Sequence, residues 1–227
     1  KFIITSPFPP TKEDINYKII KEYLSTLDNT KSPNEFMLEG YIAASLFIEI
    51  AKQINGDITK EKVLEEITKT INYNLEGLKF SFNPSTHGMA TEVFINLPNN
   101  EFIKKEIKQE EVTSKEEPHK SNALRIATLL DLSAELSDIG QPVLKGINLA
   151  ISKLNEAGGI NGTKIKLIDS DTKYDPQITK NNLDDLLKSG IDIILCASGS
   201  YVLNACMQQI KERNVAFIFP ESNAPIF

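Results

Sequence analysis

The chain has 227 residues, 41% of them hydrophobic, and a formal net charge of −6. That is enough apolar material for a true core, and an acidic balance without a dense Lys/Arg block argues against nucleic acid as the main partner. No apolar run approaches the roughly 18 residues that read as a transmembrane helix. The two cysteines, Cys196 and Cys206, form no CxxC pair, and the two histidines, His87 and His119, sit in turn-like or linker contexts. This pattern favours buried free thiols and offers no zinc site. The amino terminus, KFIITSPFPP, has no basic-then-apolar leader and begins directly on a strand-like run, as a processed or excised piece would.

In chain order, residues 2–5 form a short β-like run that Pro7, Pro9 and Pro10 end. Thr11 is placed to cap a helix that carries Ile15, Ile19, Ile20, Tyr23, Leu24 and Leu27 at helical spacing. A second helix follows Ser32-Pro33-Asn34. Its stripe of Met37, Tyr41, Ala44, Ile48 and Ala51 is widened by Phe47 and Ile54, and Asn55-Gly56 stops it. Thr59 opens a third helix, predicted to run through Ile71. Residues 79–82 and 92–97 alternate like two strands joined through the Asn83-Pro84 and His87-Gly88 turns. Residues 104–122, KKEIKQEEVTSKEEPHKSN, are rich in Lys and Glu and read as an exposed linker.

From Ala123 onward a strand-helix beat sets in. Strands are predicted at 125–130, 164–169, 191–195 and 215–219, and helices at 141–156, 177–188 and 202–213. Such alternation predicts an α/β, three-layer, doubly wound and mainly parallel sheet. Val143, Ile147, Ala150 and Leu154 form the face of the first of these helices that meets the sheet. In open sheets of this kind a ligand sits beyond the carboxyl ends of the strands. Those ends carry Asp131-Leu132-Ser133, Asp169-Ser170-Asp171, Ala197-Ser198-Gly199-Ser200 and Glu221-Ser222-Asn223. Taken singly, each loop reads as ordinary caps and turns; four polar loops on one rim point to a site. Ser198-Gly199-Ser200 precedes a helix, whose first N–H groups would suit a carboxylate or phosphate.

Asp169, Asp171 and Asp175 could hold Mg²⁺, as in phosphoacceptor domains, but no lysine follows at a later strand end, and Asp175-Pro176 reads better as a helix start. Gly158-Gly159-Ile160-Asn161-Gly162 follows a helix and precedes a strand, the reverse of a dinucleotide fingerprint. With no GxxxxGK[ST], no GxSxG and no Ser/His/Asp set, no catalytic residue, metal or cofactor is assigned.

The stretch GQPVLKGINLAISKLNEAGGINGTKIKLIDSDTKYDP, residues 140–176, resembles the amino-terminal signature of type I periplasmic binding proteins, the Leu/Ile/Val-type solute receptors of ABC transporters. Residues 198–201 and VAFIFPESNAP, 215–225, resemble that family's next two elements. The first region resembles its carboxyl-terminal part: FIITSPFPP the strand returning from the second lobe, FMLEGYIAASLFIEIAKQINGDITKEKVLEEI the helix pair after it, and LEGLKFSFNPSTHGMATEVFINL the late hairpin. The order is thus reversed. The resemblance implies one permuted lobe, built from residues 1–103 (family carboxyl-terminal part) and 123–227 (family amino-terminal part), joined by the 104–122 linker. A junction between two tandem receptors stays open as the other picture.

The resemblance further implies a non-catalytic solute-binding module for a small polar ligand such as an amino acid. Its partners would be the membrane permease of an ABC transporter and a second lobe or second chain; its location would be periplasmic or extracellular, with lipid anchoring in a longer protein. The implied ligand-binding residues are Ser198, Ser200, Tyr201, Glu221, Ser222 and Asn223. Ser200 and nearby N–H groups would take a carboxylate, and residues 221–223 an ammonium or polar tail. Glu221 stands where the family commonly has a small residue, and loop residue Ile139 where an aromatic often lines the pocket. A ligand-sensing receptor or regulatory domain of the same fold is the alternative.

Overall fold

The computed structural model describes residues 4–6, 17–27, 32–82, 92–96, 102–106, 124–191, 193–213 and 215–221. In chain order its elements are β1 (Ile4–Ser6), α1 (Lys18–Thr26), α2 (Glu35–Lys52), α3 (Lys60–Thr68), β2 (Tyr73–Leu75), β3 (Leu78–Phe80), β4 (Glu92–Asn96) and β5 (Phe102–Glu106). The strand-helix half follows as β6 (Leu124–Leu130), α4 (Ser137–Glu156), β7 (Ile165–Asp171), α5 (Pro176–Lys188), β8 (Ile193–Ser198), α6 (Ser200–Glu212) and β9 (Ala216–Glu221).

Strands β6 to β9 form a parallel sheet of order β7-β6-β8-β9. Their alternating side chains divide between two cores. Ile126, Leu130, Ile193, Leu195, Ala216 and Ile218 pack with α2 and α4. Ala127, Leu129, Ile194 and Ala197 pack with α5 and α6. This is a three-layer α/β architecture: near-continuous apolar strands are what a parallel sheet covered on both faces requires. The four apolar residues predicted for the sheet-facing side of α4, Val143, Ile147, Ala150 and Leu154, are all buried. Among the described residues no helix is long and apolar enough to cross a membrane.

The α2/α4 layer joins the two halves of the chain. Asn34 caps α2 by accepting the Met37 N–H at 3.0 Å, and Tyr23 ties α1 to that cap, donating to the Asn34 carbonyl and accepting its N–H. Helix α2 is buried nearly all round, Leu38, Ile42, Ala43, Leu46 and Ile50 included, and not only along the predicted stripe. It crosses α4 where each helix has a glycine. A Cβ on Gly40 would collide with the Val143 carbonyl, and one on Gly146 with the Met37 carbonyl and the Tyr41 N–H. Past the crossing, the Asn161 side chain donates to the Ile54 carbonyl, so the far ends of the two helices also meet.

Several predicted features shift. Among the described residues, 79–82 do not pair with 92–96. Strand β3 folds back on β2 through Glu76-Gly77, both at positive φ (+49° and +106°), which is the backbone a two-residue hairpin favours. The Glu76 carbonyl then accepts the Lys18 N–H of α1 at 3.0 Å. Strand β4 instead sits between β1 and β5 in an antiparallel sheet. Strand β5 takes in Lys104, Lys105 and Glu106, which were read as linker; pairing with β4 satisfies a backbone that its charged side chains suggested was solvated. Helix α4 begins at Ser137 and not at 141, so Pro142 lies inside it. Ile139 is therefore helical and packs on the core instead of lining a loop. The Thr11 and Ile15 positions, the Asn83-Pro84 and His87-Gly88 turns and residues 107–122 lie outside the described residues.

Helix propensity alone would have Gly→Ala stabilise a helix by about 1 kcal/mol. At this crossing the neighbours are backbone atoms that cannot rotate away. Gly146→Ala and Gly40→Ala are each expected to destabilise by about 1–3 kcal/mol, the cost of overpacking, read as a lowered urea midpoint at unchanged slope. A raised midpoint would refute the close crossing.

Glu39, in the same helix, has no hydrogen-bond or ion-pair partner among the described residues, and burial pushes its carboxyl up to about 7. The folded-state value lies above the unfolded one. The stability tied to its proton is therefore complete below pH 4.5 and lost as pH rises through 7. Glu39→Gln should raise the melting temperature at pH 8, leave it nearly unchanged at pH 4.5, and flatten the profile between them.

Candidate functional site

Four parallel strands bring four loops to one rim. The first two are locked to each other. Asp131, fully buried, accepts the N–H groups of Ser133 (3.2 Å) and Ala134 (2.8 Å) on Oδ1 and that of Leu136 (2.7 Å) on Oδ2. Asp171, at the end of β7, reaches across. Its Oδ1 accepts the N–H groups of Leu132 (2.9 Å) and Lys173 (3.0 Å), and its Oδ2 the Ser133 hydroxyl (2.6 Å). Burial works against the Asp171 charge. The Ser133 hydroxyl and the two backbone N–H groups outweigh it and hold the carboxyl below its usual range. Asp175 caps α5, accepting the N–H groups of Gln177 and Ile178.

The carboxylates of Asp131, Asp171 and Asp175 are thus committed to fixing loops, and among the described residues no group of three His, Cys, Asp or Glu could hold a metal ion. Gly158 and Gly159 end α4, the Gly159 N–H donating to the Leu154 carbonyl, so they bind no dinucleotide at a helix start.

The third loop is the open one. Helix α6 begins at Ser200 behind Gly199, an N-cap residue with no side chain to cap it. Gly199 has φ +81°, and a Cβ there would lie 2.7 Å from Cε2 of Tyr174. The Tyr174 ring therefore rests on the glycine, 5.7 Å from the ring of Tyr201 and tilted 51° to it. Tyr201 is 60% exposed, and Ser200 is half-buried. Ser198 and Glu221 are register partners at the ends of β8 and β9, which brings their backbones side by side. Ser222 and Asn223 lie outside the described residues.

Of the predicted site residues, Ser198, Ser200, Tyr201 and Glu221 therefore share the rim, whereas Ile139 belongs to the α4 core. Sequence reasoning missed Tyr174. Its only signal was an aromatic residue between Asp171 and the Asp175 cap. Lys173 and Tyr174 both adopt positive φ (+50° and +51°), which no pattern of hydrophobicity encodes.

A crevice of about 240 Å³ lies at the opposite end of the sheet, lined by Gly56, Asp57, Ile58, Leu124, Ile160, Asn161 and Thr163. It occupies the seam where the α2–α3 connection meets the start of β6. Its polar side chains are Asp57, Asn161 and Thr163, of which Asn161 is spent on the Ile54 carbonyl; ligands of open parallel sheets sit at the other end, beyond the carboxyl ends of the strands.

The family model described as Periplasmic binding protein matches residues 123–225. Residues 123–225 are thus similar to periplasmic binding proteins. Curated relatives include Leu/Ile/Val-binding protein homolog 4 of Brucella abortus (strain 2308), 27% identical over 92 residues, or 40% of this chain and 22% of that protein. An uncharacterised protein of Methanocaldococcus jannaschii is 28% identical over 118 residues, 51% of this chain and 28% of that one. The chain thus spans about a quarter of the length of these relatives.

Similar solved structures include the branched-chain amino acid transporter substrate binding protein LivJ of Streptococcus pneumoniae in complex with isoleucine, with TM-score 0.39, 24% identity, and 42% and 28% of the two chains covered. A substrate-binding periplasmic protein of Ralstonia solanacearum has TM-score 0.43, 25% identity, and 44% and 30% coverage. Within residues 123–225, the rim loops described above are the candidate ligand face.

Asp171 carries the first two loops of that face. Hydrogen bonds to an ionised group contribute roughly 1.5–3 kcal/mol, so Asp171→Asn should cost about that much at pH 7. Because the folded carboxyl lies below its ordinary value of 3.8, this contribution is present above that value and lost as pH falls through the lower, folded one. Denaturation at pH 7 and pH 3 should show a gap between variant and wild type that narrows in acid.

Proposed function

We propose that this chain is a non-catalytic, extracytoplasmic solute-binding module whose ligand is a small polar molecule of amino-acid type, passed to the permease of an ABC transporter. The observation that carries the reading is the glycine-led start of α6, with Ser200 and Tyr201 at the carboxyl rim of a segment similar to periplasmic binding proteins.

The chemistry asked of the site is recognition alone. A helix start without a side-chain cap presents N–H groups and a positive dipole end, which suit a carboxylate. The Ser200 hydroxyl adds a donor. Glu221, one strand over, supplies a negative charge for an ammonium, with Ser222 and Asn223 completing that side. Full affinity comes when a second lobe closes over the rim about a hinge. That lobe is supplied by further chain or by a second molecule.

The lobe is proposed to be permuted, with residues 1–103 as the family's carboxyl-terminal part, 123–227 as its amino-terminal part and the connection between them a charged linker. The shared core of α2 and α4 supports this. In a lobe assembled from a late and an early segment, one helix of each must meet.

Thermal denaturation and calorimetry with L-leucine, L-isoleucine, L-valine, L-phenylalanine and L-glutamate test the reading. At least one should bind, and Ser200→Ala should weaken it about tenfold, the loss of one hydrogen bond to a charged group. Absence of binding to every acid, by both methods, would overturn the proposal.

A further inference from the structure

Tyr174 and Tyr201 make an aromatic wall beside the start of α6, and the geometry points to this pair as the specificity-determining surface of the site, favouring a carboxylic acid with an aromatic body over one with an aliphatic body. The inference rests on the solute-binding reading and names the ligand class within it. Among the described residues three large apolar side chains are exposed, and Tyr201 is the most exposed of them, at 60% against 56% for Ile71 and 39% for Phe36. It is the second residue of α6. A carboxylate taken by the N–H groups at that helix end therefore places the rest of the molecule beside its ring.

Tyr174 fixes the other side of the wall. Its ring lies where any side chain at position 199 would stand, so Gly199 is required by the ring as well as by its φ. The centroid distance of 5.7 Å and the 51° tilt are a favourable aromatic geometry, which holds Tyr201 in a defined orientation while most of its surface stays open. A planar ring can join such a pair edge-to-face or offset. A branched aliphatic group meets the same surface with less contact and no quadrupole match. The Asp131, Asp171 and Asp175 carboxylates of the first two loops are held by N–H and hydroxyl donors, so among the described residues the wall is the exposed surface of the rim that meets the ligand's body.

The test compares L-phenylalanine with L-leucine, which share the amino-acid group and differ only in the side chain, by calorimetry on the full chain and its Tyr201→Ala, Tyr201→Phe and Tyr174→Phe variants. Circular dichroism verifies each fold, and Tyr201 is exposed enough that its truncation does not open the core. L-phenylalanine should bind at least about fivefold tighter than L-leucine. Tyr201→Ala should remove most of that difference by weakening L-phenylalanine alone, and the two Phe variants should keep it; a few-fold effect is what one aromatic pair contributes. Equal or tighter binding of L-leucine overturns the inference, as does phenylalanine affinity unchanged in Tyr201→Ala. Equal weakening of both acids would make Tyr201 a contact for a facing lobe, and also overturns it. In those three outcomes the solute-binding reading survives. Failure of the wild type to bind any amino acid removes both.

Discussion

Two helices from opposite ends of the chain approach until only glycine fits between them, and the sheet-bound half of the molecule is built around that contact. Helix α2 comes from the first hundred residues and α4 from the strand-helix half, yet together they make the layer over one face of the sheet. Polar links across the same seam are weaker. The ion pair between Lys153 and Glu22, at 3.1 Å, is half in solvent, and such pairs contribute at most about 1 kcal/mol. Burial of Tyr41, Phe47, Ile147 and their neighbours removes far more apolar surface from water, at about 25 cal/mol per Å². Packing, and not charge, is what joins the two halves.

That division of labour recurs at the rim. Asp171 and Asp175, two of the three aspartates considered for a metal, are committed with Asp131 to loop geometry, where each carboxylate accepts two or more N–H groups. Fixing the first two loops leaves freedom in the third, where the backbone at Gly199 and the rings of Tyr174 and Tyr201 define the surface.

Much of the architecture was legible in the chain, for physical reasons that differ by element. The four parallel strands and their helices follow from apolar runs punctuated by caps, and Asn34, Thr59 and Asp175 cap the helices they were expected to begin or precede. Pairing partners were harder. Residues 79–82 read as a strand but were matched to the wrong neighbour, because Glu76-Gly77 is a weaker turn signal than Asn83-Pro84 and register is decided by backbone φ rather than by composition. The full burial of α2 was also hidden: a stripe shows which side is apolar, not how many layers will surround it. At the rim, the position of residues 197–200 followed from strand-end logic and that of Tyr201 from the family resemblance, whereas the placing of Tyr174 depends on two consecutive left-handed residues.

The end of β8 shows how far such backbone choices reach. Cys196 has φ +63°, and the pairing with β6 slips there, from Ala127 opposite Ile194 to Leu129 opposite Ala197, so two steps of β6 face three of β8. The pairing with β9 continues in step, from Leu195 opposite Ile218 to Ala197 opposite Pro220, so the irregularity falls wholly on the β6 side. A bulge of this kind reverses the parity of every later side chain. Leu195 and Cys196 both enter the α2/α4 core, and Ala197 turns to the α5/α6 core. Without it, Ala197 would point the other way, and the chain would leave the sheet on the wrong side to begin a helix whose Leu203, Cys206 and Ile210 pack on that second core. The same inversion places Cys196 and Cys206 on opposite faces of the sheet, which is why both thiols are buried and unbridged. The presentation of Gly199, Ser200 and Tyr201 at the rim is therefore set one turn upstream, by a cysteine held in a conformation that costs roughly 1–3 kcal/mol.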